Sequence, residues 1–390
     1  MNKTKTSNYF FIVAVLLSSL GQVASDIYLP SMPYIAHDLH SSFTLVQFSL
    51  AVFMLGFCLP RIVYGVLSDA FGRRNLTFVG LSIAFLGTFI CFSAINMPLL
   101  IVGRFLQGFG MAGCVTLAGA MVRDTYDGAV LAKFNSYFAI ANVLLMSITP
   151  VIGGFIQQYL FWRASFVLIL AWSFIALFLF KTNVQETNFH KDITHVRWSS
   201  IFNNIKTLFL KKTYLGAVGC IFLSYAGILA WLTLGPILLQ HHLHITTVQY
   251  GFLCGFGGLS YVIGGFFSSK MVGQLGSRRL IFIGLLFYIT AGIVLLLVGA
   301  FLHLTWILLV IPVYLYLIGT GMVFPNAYTC ALLPFARMAG MAVAVTGTVQ
   351  ILGGFVASSV IAFLPHNASW PMAIVILLSG IFGLAFFRML

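Results

Sequence analysis

The chain carries only seven carboxylate side chains in 390 residues, and Asp26 alone sits well inside an apolar run. A carboxylate can hold or release a proton, and an ionisable group in hydrocarbon is a functional-site candidate by default. Two arginines, Arg61 and Arg104, also fall within apolar runs. Arg104 lies six residues into the run 99–121, about 9 Å from its end at helical rise. Asp26 lies several residues from the same-side end of its own run, whereas Arg61 lies nearer the opposite face. Arg104 is therefore the expected electrostatic partner of Asp26. Burial and a nearby guanidinium act oppositely on a carboxylate, so the pair can be tuned to titrate between two compartments. The plainer alternative is an arginine that only stitches helices together. Gln22, Tyr28, Arg61, Gln107, Asn142, Tyr225 and Trp231 are candidate cavity-lining residues around the pair.

Two further constellations act through the backbone. The loop 65–74 reads Gly65-Val66-Leu67-Ser68-Asp69-Ala70-Phe71-Gly72-Arg73-Arg74. Gly65 is expected to let helices approach closely, Asp69 to cap or pair with a neighbouring helix N-terminus, and Gly72 to permit a tight turn. Arg73 and Arg74 anchor this loop at one membrane face. The run 134–157 holds Thr149-Pro150-Val151-Ile152-Gly153-Gly154. There Pro150 should kink a helix, and Gly153 and Gly154 should let another helix pack closely.

These groups need elements to carry them. With 61% hydrophobic and 7% charged residues, the chain has no soluble surface to offer and reads as a polytopic membrane protein. Polar breaks leave twelve apolar runs: 9–33, 45–67, 76–95, 99–121, 134–157, 164–181, 213–238, 248–269, 280–302, 305–325, 338–363 and 370–388. Each is long enough to cross ~30 Å of hydrocarbon as a helix, the form that satisfies its own backbone. The first run follows Lys3 and Lys5 but is too long for a signal peptide, so it is expected to be a retained span.

Alternate loops collect seventeen of the twenty Lys and Arg residues, against Arg163 alone on the other side. That bias places both termini in the cytoplasm and accounts for the +13 net charge without any nucleic acid. The expected fold is all-α, with twelve transmembrane helices in two pseudo-symmetric bundles of six, 1–181 and 213–390, joined by a cytoplasmic loop, 182–212. A faint repeat supports it: Gly265-Phe266-Phe267-Ser268-Ser269-Lys270 and Gly276-Ser277-Arg278-Arg279 echo the loop 65–74. Paired six-helix halves are a transporter architecture with the substrate site between them. The six cysteines all lie in apolar stretches without paired spacing and read as packing residues.

The loop 65–74 resembles the signature between the second and third helices of the major facilitator superfamily, departing at Ala70, where the family often has Arg. Arg104-Phe105-Leu106-Gln107-Gly108-Phe109-Gly110 looks like its R-x-x-Q-G motif, and Pro150–Gly154 resembles the fifth-helix motif of its drug:proton antiporters, with Thr149 replacing the first Gly. Together with Asp26-Ile27-Tyr28-Leu29-Pro30-Ser31-Met32-Pro33, Arg123-Asp124 and Trp162-Arg163-Ala164-Ser165-Phe166, these motifs resemble the Bcr/CflA drug-resistance exporters. In the second half, Gly319–Pro325 and Leu333-Pro334-Phe335 are looser echoes. Arg61 departs from the Gln usual there, and Gly119 stands where some members have Arg. The resemblance implies a major facilitator fold in the bacterial inner membrane, exporting small amphipathic compounds, drugs or metabolites such as siderophores, against a proton gradient. It implies no cofactor and a unit that works as a monomer.

No acidic residue follows Asp192. Asp38, Asp69, Asp124, Asp127, Glu186 and Asp192 all fall in loops or at a membrane face, so Asp26 is the expected proton carrier. His241-His242-Leu243-His244 could bind a metal or sense external pH, but its spacing fits no defined metal site. Trp231, Tyr225, Tyr261, Tyr314 and Tyr316 are candidates for an aromatic cavity wall. A proton-coupled importer is the nearest alternative function. A polytopic membrane enzyme is a more distant one, since no convergent nucleophile, acid–base or metal cluster is evident.

Overall fold

The structure is a computed structural model describing residues 10–188, 198–302 and 304–390. Lys3, Lys5, Lys191, Asp192, Arg197 and His303 lie outside the described residues, as does part of the central loop. Helices α1 (Phe10–Asp26) and α2 (Met32–Asp38) make one crossing, and α3 (Phe43–Cys58) and α4 (Pro60–Phe71) another. Four more follow: α5 (Arg73–Phe92), α6 (Met97–Thr125), α7 (Gly128–Tyr159) and α8 (Trp162–Asn183). A shorter helix, α9 (Trp198–Leu210), leads into α10 (Lys212–Pro236). The remainder are α11 (Thr247–Phe301), α12 (Trp306–Leu332), α13 (Ala339–Ala362) and α14 (Trp370–Phe387). Among the described residues, eleven stretches are long and apolar enough to span a membrane. The longest, α11, runs 55 residues but leaves helical geometry at Gly276. It is two span-length arms joined end to end, so the protein has eleven to twelve crossings, as the hydropathy anticipated.

Local chemistry explains the starts and breaks. Ser42, Asn96 and Thr305 accept the backbone N–H three residues on, and Thr246 forms a full capping box with Gln249. Proline places the most consequential break. The ring of a helical proline collides with the carbonyl four residues earlier, and Pro30 stands four residues after Asp26. Accordingly α1 ends at Asp26, and a 3-10 turn, Leu29–Ser31, intervenes before α2. The carboxylate thus sits at the point of discontinuity in a broken span.

The repeat is visible in the backbone. Gly72 (φ 96°, ψ 148°) and Gly276 (φ 74°, ψ 158°) each start a helix from a conformation that side chains rarely adopt, and each is followed by a basic pair or its close equivalent, Arg73-Arg74 and Ser277-Arg278-Arg279. Gly65 behaves differently from expectation: nothing lies within 4 Å of where its Cβ would be. Close approach is achieved instead within the bundle, where Gly56 and Gly108 bring α3 and α6 together backbone to backbone. Across the two halves of the chain, α7 lies on α11 and α3 on α13. Five of the six cysteines are buried, Cys330 is partly so, and all are free.

Candidate functional site

Asp26 is 2% exposed. Ser25 donates its hydroxyl to Oδ1 at 2.5 Å, and the Gln22 side-chain amide donates to Oδ2 from one turn earlier. The carboxylate also borders a cavity of about 10 Å³, roughly the room of a single water. Its walls come from both halves: Met146 and Pro150 of α7, Trp231 and Leu232 of α10, Cys254 and Gly258 of α11. Pro150 has no N–H to give the Met146 carbonyl, so one helical bond of α7 is missing where it lines the cavity. Asn142, Met146 and Pro150 recur every fourth residue, which continues this face along α7.

The expected Asp26–Arg104 ion pair does not form. Salt bridges among the described residues are Arg73–Asp69, Arg73–Asp124 and Arg163–Asp38. Arg104 is fully buried and donates through Nη1 to the Ala24 carbonyl at 2.9 Å and to Gln107 Oε1 at 2.6 Å. Its guanidinium lies 4.2 Å from the Tyr28 ring centroid and 4.1 Å from that of Phe53. Two aromatic faces, a carbonyl and Gln107 meet the cation without a carboxylate, each ring contributing on the order of 2 kcal/mol in a desolvated site, while Nε and Nη2 stay buried without a hydrogen-bond partner. Gln107 passes the network to Thr88 at 3.0 Å. Gln107 and Tyr28 are thus interior struts of the first six spans, with no exposed surface to line a cavity. Arg104 holds the α1 backbone two residues before Asp26 and acts on its charge through space.

The loop 65–74 is tied to its own half. Arg73 bonds Asp69 at 2.5 Å and Asp124 at 3.1 Å, and also donates to the Ser68 hydroxyl. Asp69 therefore pairs with the side chain of Arg73, the first residue of α5, but takes none of that helix's open backbone N–H groups. That role belongs to Glu186, which accepts the backbone N–H groups of Arg73 at 2.9 Å and Arg74 at 3.2 Å. It satisfies the open donors at the start of α5 and lies at the positive end of the helix dipole. Sequence reading missed this because the partners are 113 residues apart. An open cleft of about 460 Å³ beside Arg74, Lys181 and Glu186 lies within this half and touches none of the Asp26 groups.

A family model described as "Major Facilitator Superfamily" matches residues 12–358. The chain belongs to that superfamily. It is 27% identical over 372 residues to the "Bicyclomycin resistance protein homolog" of Haemophilus influenzae, covering 95% of this chain and 93% of the relative. It is 26% identical to "Multidrug resistance protein D" of Escherichia coli, covering 95% and 92%. An "Uncharacterized MFS-type transporter YdgK" of Bacillus subtilis is 29% identical over 95% and 93%. These relatives bear out the resemblance to Bcr/CflA-type exporters. Among solved structures, a D-xylose-proton symporter superimposes with a TM-score of 0.77 at 18% identity, covering 96% of this chain and 97% of that one. At that identity the likeness speaks for the facilitator fold alone.

Within the facilitator frame the remaining candidates separate cleanly. Arg61 reaches across the halves to donate to the Gly347 carbonyl of α13 at 3.2 Å. Tyr225 packs against Gly354 of α13 and lies within electrostatic reach of both Asp26 and Arg61. Tyr314 and Tyr316 are structural, donating to the Leu253 carbonyl at 2.7 Å and the Ser224 carbonyl at 2.6 Å. Gly153 meets the Ile27 backbone immediately after Asp26, and Gly154 meets the Thr247 backbone of α11. Asp38, read only as a loop residue, accepts Trp162 Nε1 and Arg163 Nη1, both at 2.8 Å. These bonds hold its carboxyl below the usual carboxylate range. The histidines gather at that same face, where His241 stacks edge-on against Phe43 at 4.8 Å and His366 lies 3.4 Å from the Thr44 hydroxyl. No metal-holding group of three or more ligands occurs among the described residues.

Proposed function

We propose that the protein is a proton-coupled exporter of small amphipathic compounds, working by alternating access as a monomer of twelve crossings in the bacterial inner membrane. Its halves are 1–181 and 213–390, with both termini and the Arg73 and Arg278 loops in the cytoplasm, following the distribution of basic residues. One observation carries the reading: the single buried carboxylate of the spans stands at a helix break and borders a cavity walled by both halves. Ion sites of secondary transporters are built at such discontinuities. The names of the relatives support export of drug-like compounds.

In this orientation the histidine face is external, and α7 on α11 with α3 on α13 close it. Asp26 accepts two hydrogen bonds there, from Ser25 and Gln22. A proton converts one carboxylate oxygen to a donor, so one of the two bonds must change: Ser25 turns its hydroxyl to accept, or Gln22 turns its amide or lets go. The α1 break gives the backbone room to follow, and Arg104, bonded to the Ala24 carbonyl, feels the movement. Proton uptake from outside thereby favours one state and substrate loading from the cytoplasm the other, which is the antagonism that exchange requires. Asp26→Asn should abolish gradient-driven efflux in proteoliposomes while leaving the protein folded. Undiminished efflux by that variant refutes the proton carrier, and substrate accumulation on external acidification would establish import instead.

A further inference from the structure

The spans contain two cations and one anion. Neither cation has a carboxylate within salt-bridge distance among the described residues, but Arg104 is enclosed by two aromatic faces inside the first six spans, whereas Arg61 turns to the second half. The whole second half, against which Arg61 packs, contains no acidic side chain. Arg61 gives Nη1 to the Gly347 carbonyl at 3.2 Å, lies 5.6 Å from the Phe57 ring centroid, and keeps a buried Nε without a partner. Its head sits where a side chain at position 347 would stand, since a Cβ there would be 3.1 Å from Nη1. Tyr225 of α10 and Tyr328 of α12 lie within reach of its charge and bring phenolic O–H donors. A guanidinium and two phenols offer hydrogen-bond donors and no negative charge, and Arg61 is only partly buried, so an anion can reach it.

We propose that Arg61, with Tyr225 and Tyr328, binds the anionic group of the transported compound, so that the substrate class is amphipathic organic monoanions, carboxylates above all, to the exclusion of cations. This rests on the export reading above and sharpens it. Tyr225, Ile228 and Leu232 share one face of α10, and the last two border the Asp26 cavity. The anionic head at Arg61 therefore leaves the apolar body along Ile228, Leu232 and Trp231. A proton on Asp26 would strengthen the hold on an anion, so exchange runs through the change of state and not through direct competition for charge. One anion moved out and one proton moved in carry two charge equivalents, and an inside-negative potential drives both.

The test uses one fluorescent amphipath in three forms, a carboxylate, its methyl ester and a quaternary ammonium, with equilibrium binding measured on the purified full chain. Wild type should bind the carboxylate at least tenfold tighter than the ester and bind the ammonium form weakest. Arg61→Gln should bring the carboxylate-to-ester ratio near one with ester binding retained, and Arg61→Lys should keep a preference. Equal binding of carboxylate and ester by wild type overturns the proposal whether or not the glutamine variant folds. So does a preference that survives Arg61→Gln. Proton-driven movement of the three probes in proteoliposomes separates the two readings. Carboxylate preference without driven movement of any probe overturns export and leaves the anion site standing; driven movement of the ester without carboxylate preference does the reverse.

Discussion

Replacing Gly154 by alanine should open the face that carries the histidines. Its Cβ would stand 2.5 Å from the Thr247 carbonyl oxygen and 3.1 Å from the carbonyl carbon. Both are backbone atoms in the first turn of α11, so no rotamer change relieves the contact. Ordinary van der Waals separation begins at 3.4 Å, so α11 must retreat by about 0.9 Å. That retreat also stretches the Thr247 hydroxyl bonds to the Gly154 carbonyl, 3.1 Å, and to Gln158, 2.9 Å. Overpacking of this kind costs about 1–3 kcal/mol. Because the contact joins the two halves, the cost falls on the closed state and not on the bundle itself. The closed-to-open ratio should then fall by about 5- to 150-fold. Spin labels at Tyr159 and Thr246, which end α7 and precede α11, report the gap by pulsed distance measurement. Gly119→Ala is the control, since nothing lies within 4 Å of that Cβ. An unchanged distance distribution in Gly154→Ala would refute the view that this backbone contact latches the histidine-bearing face.

Three more outcomes follow from the same geometry. Gly72→Ala and Gly276→Ala place a side chain at φ 96° and 74°, in a region nearly restricted to glycine, and each should cost of order 1–3 kcal/mol in thermal unfolding; a wild-type melting temperature in both would remove the backbone argument. Hydrogen bonds from Trp162 first, then Arg163, hold the Asp38 carboxyl below its ordinary value of 3.8. A depressed acid contributes stability above that value and loses it as pH falls through the folded value, so Asp38→Asn should destabilise at pH 7 and converge with wild type in acid. Burial lowers the His366 imidazole from 6.5. A depressed histidine supports the closed face above 6.5 and ceases to as pH falls through its folded value. Acid should therefore widen the same spin-label gap less in His366→Gln than in wild type.

The composition and the length of the apolar runs required a helical membrane protein, because a continuous apolar run of about twenty residues satisfies its own backbone in lipid as a helix. The motif residues identified the family, and Pro30 set the break at Asp26, since a proline collision reaches back four residues whatever surrounds it. Gly72 was equally legible, because its left-handed turn is a property of the residue. Partnerships were not legible. Equal depth made Arg104 the natural ion partner of Asp26, yet depth says nothing of azimuth, and two aromatic rings with the Ala24 carbonyl claimed the guanidinium. Glu186 caps α5 from 113 residues away, and Arg61 reaches an acid-free half of the chain. Sequence determined which groups are present and how deep they lie. Tertiary packing alone decided which of them meet, because a side chain is satisfied by whatever donors, acceptors and ring faces the neighbouring helices bring within a few ångströms.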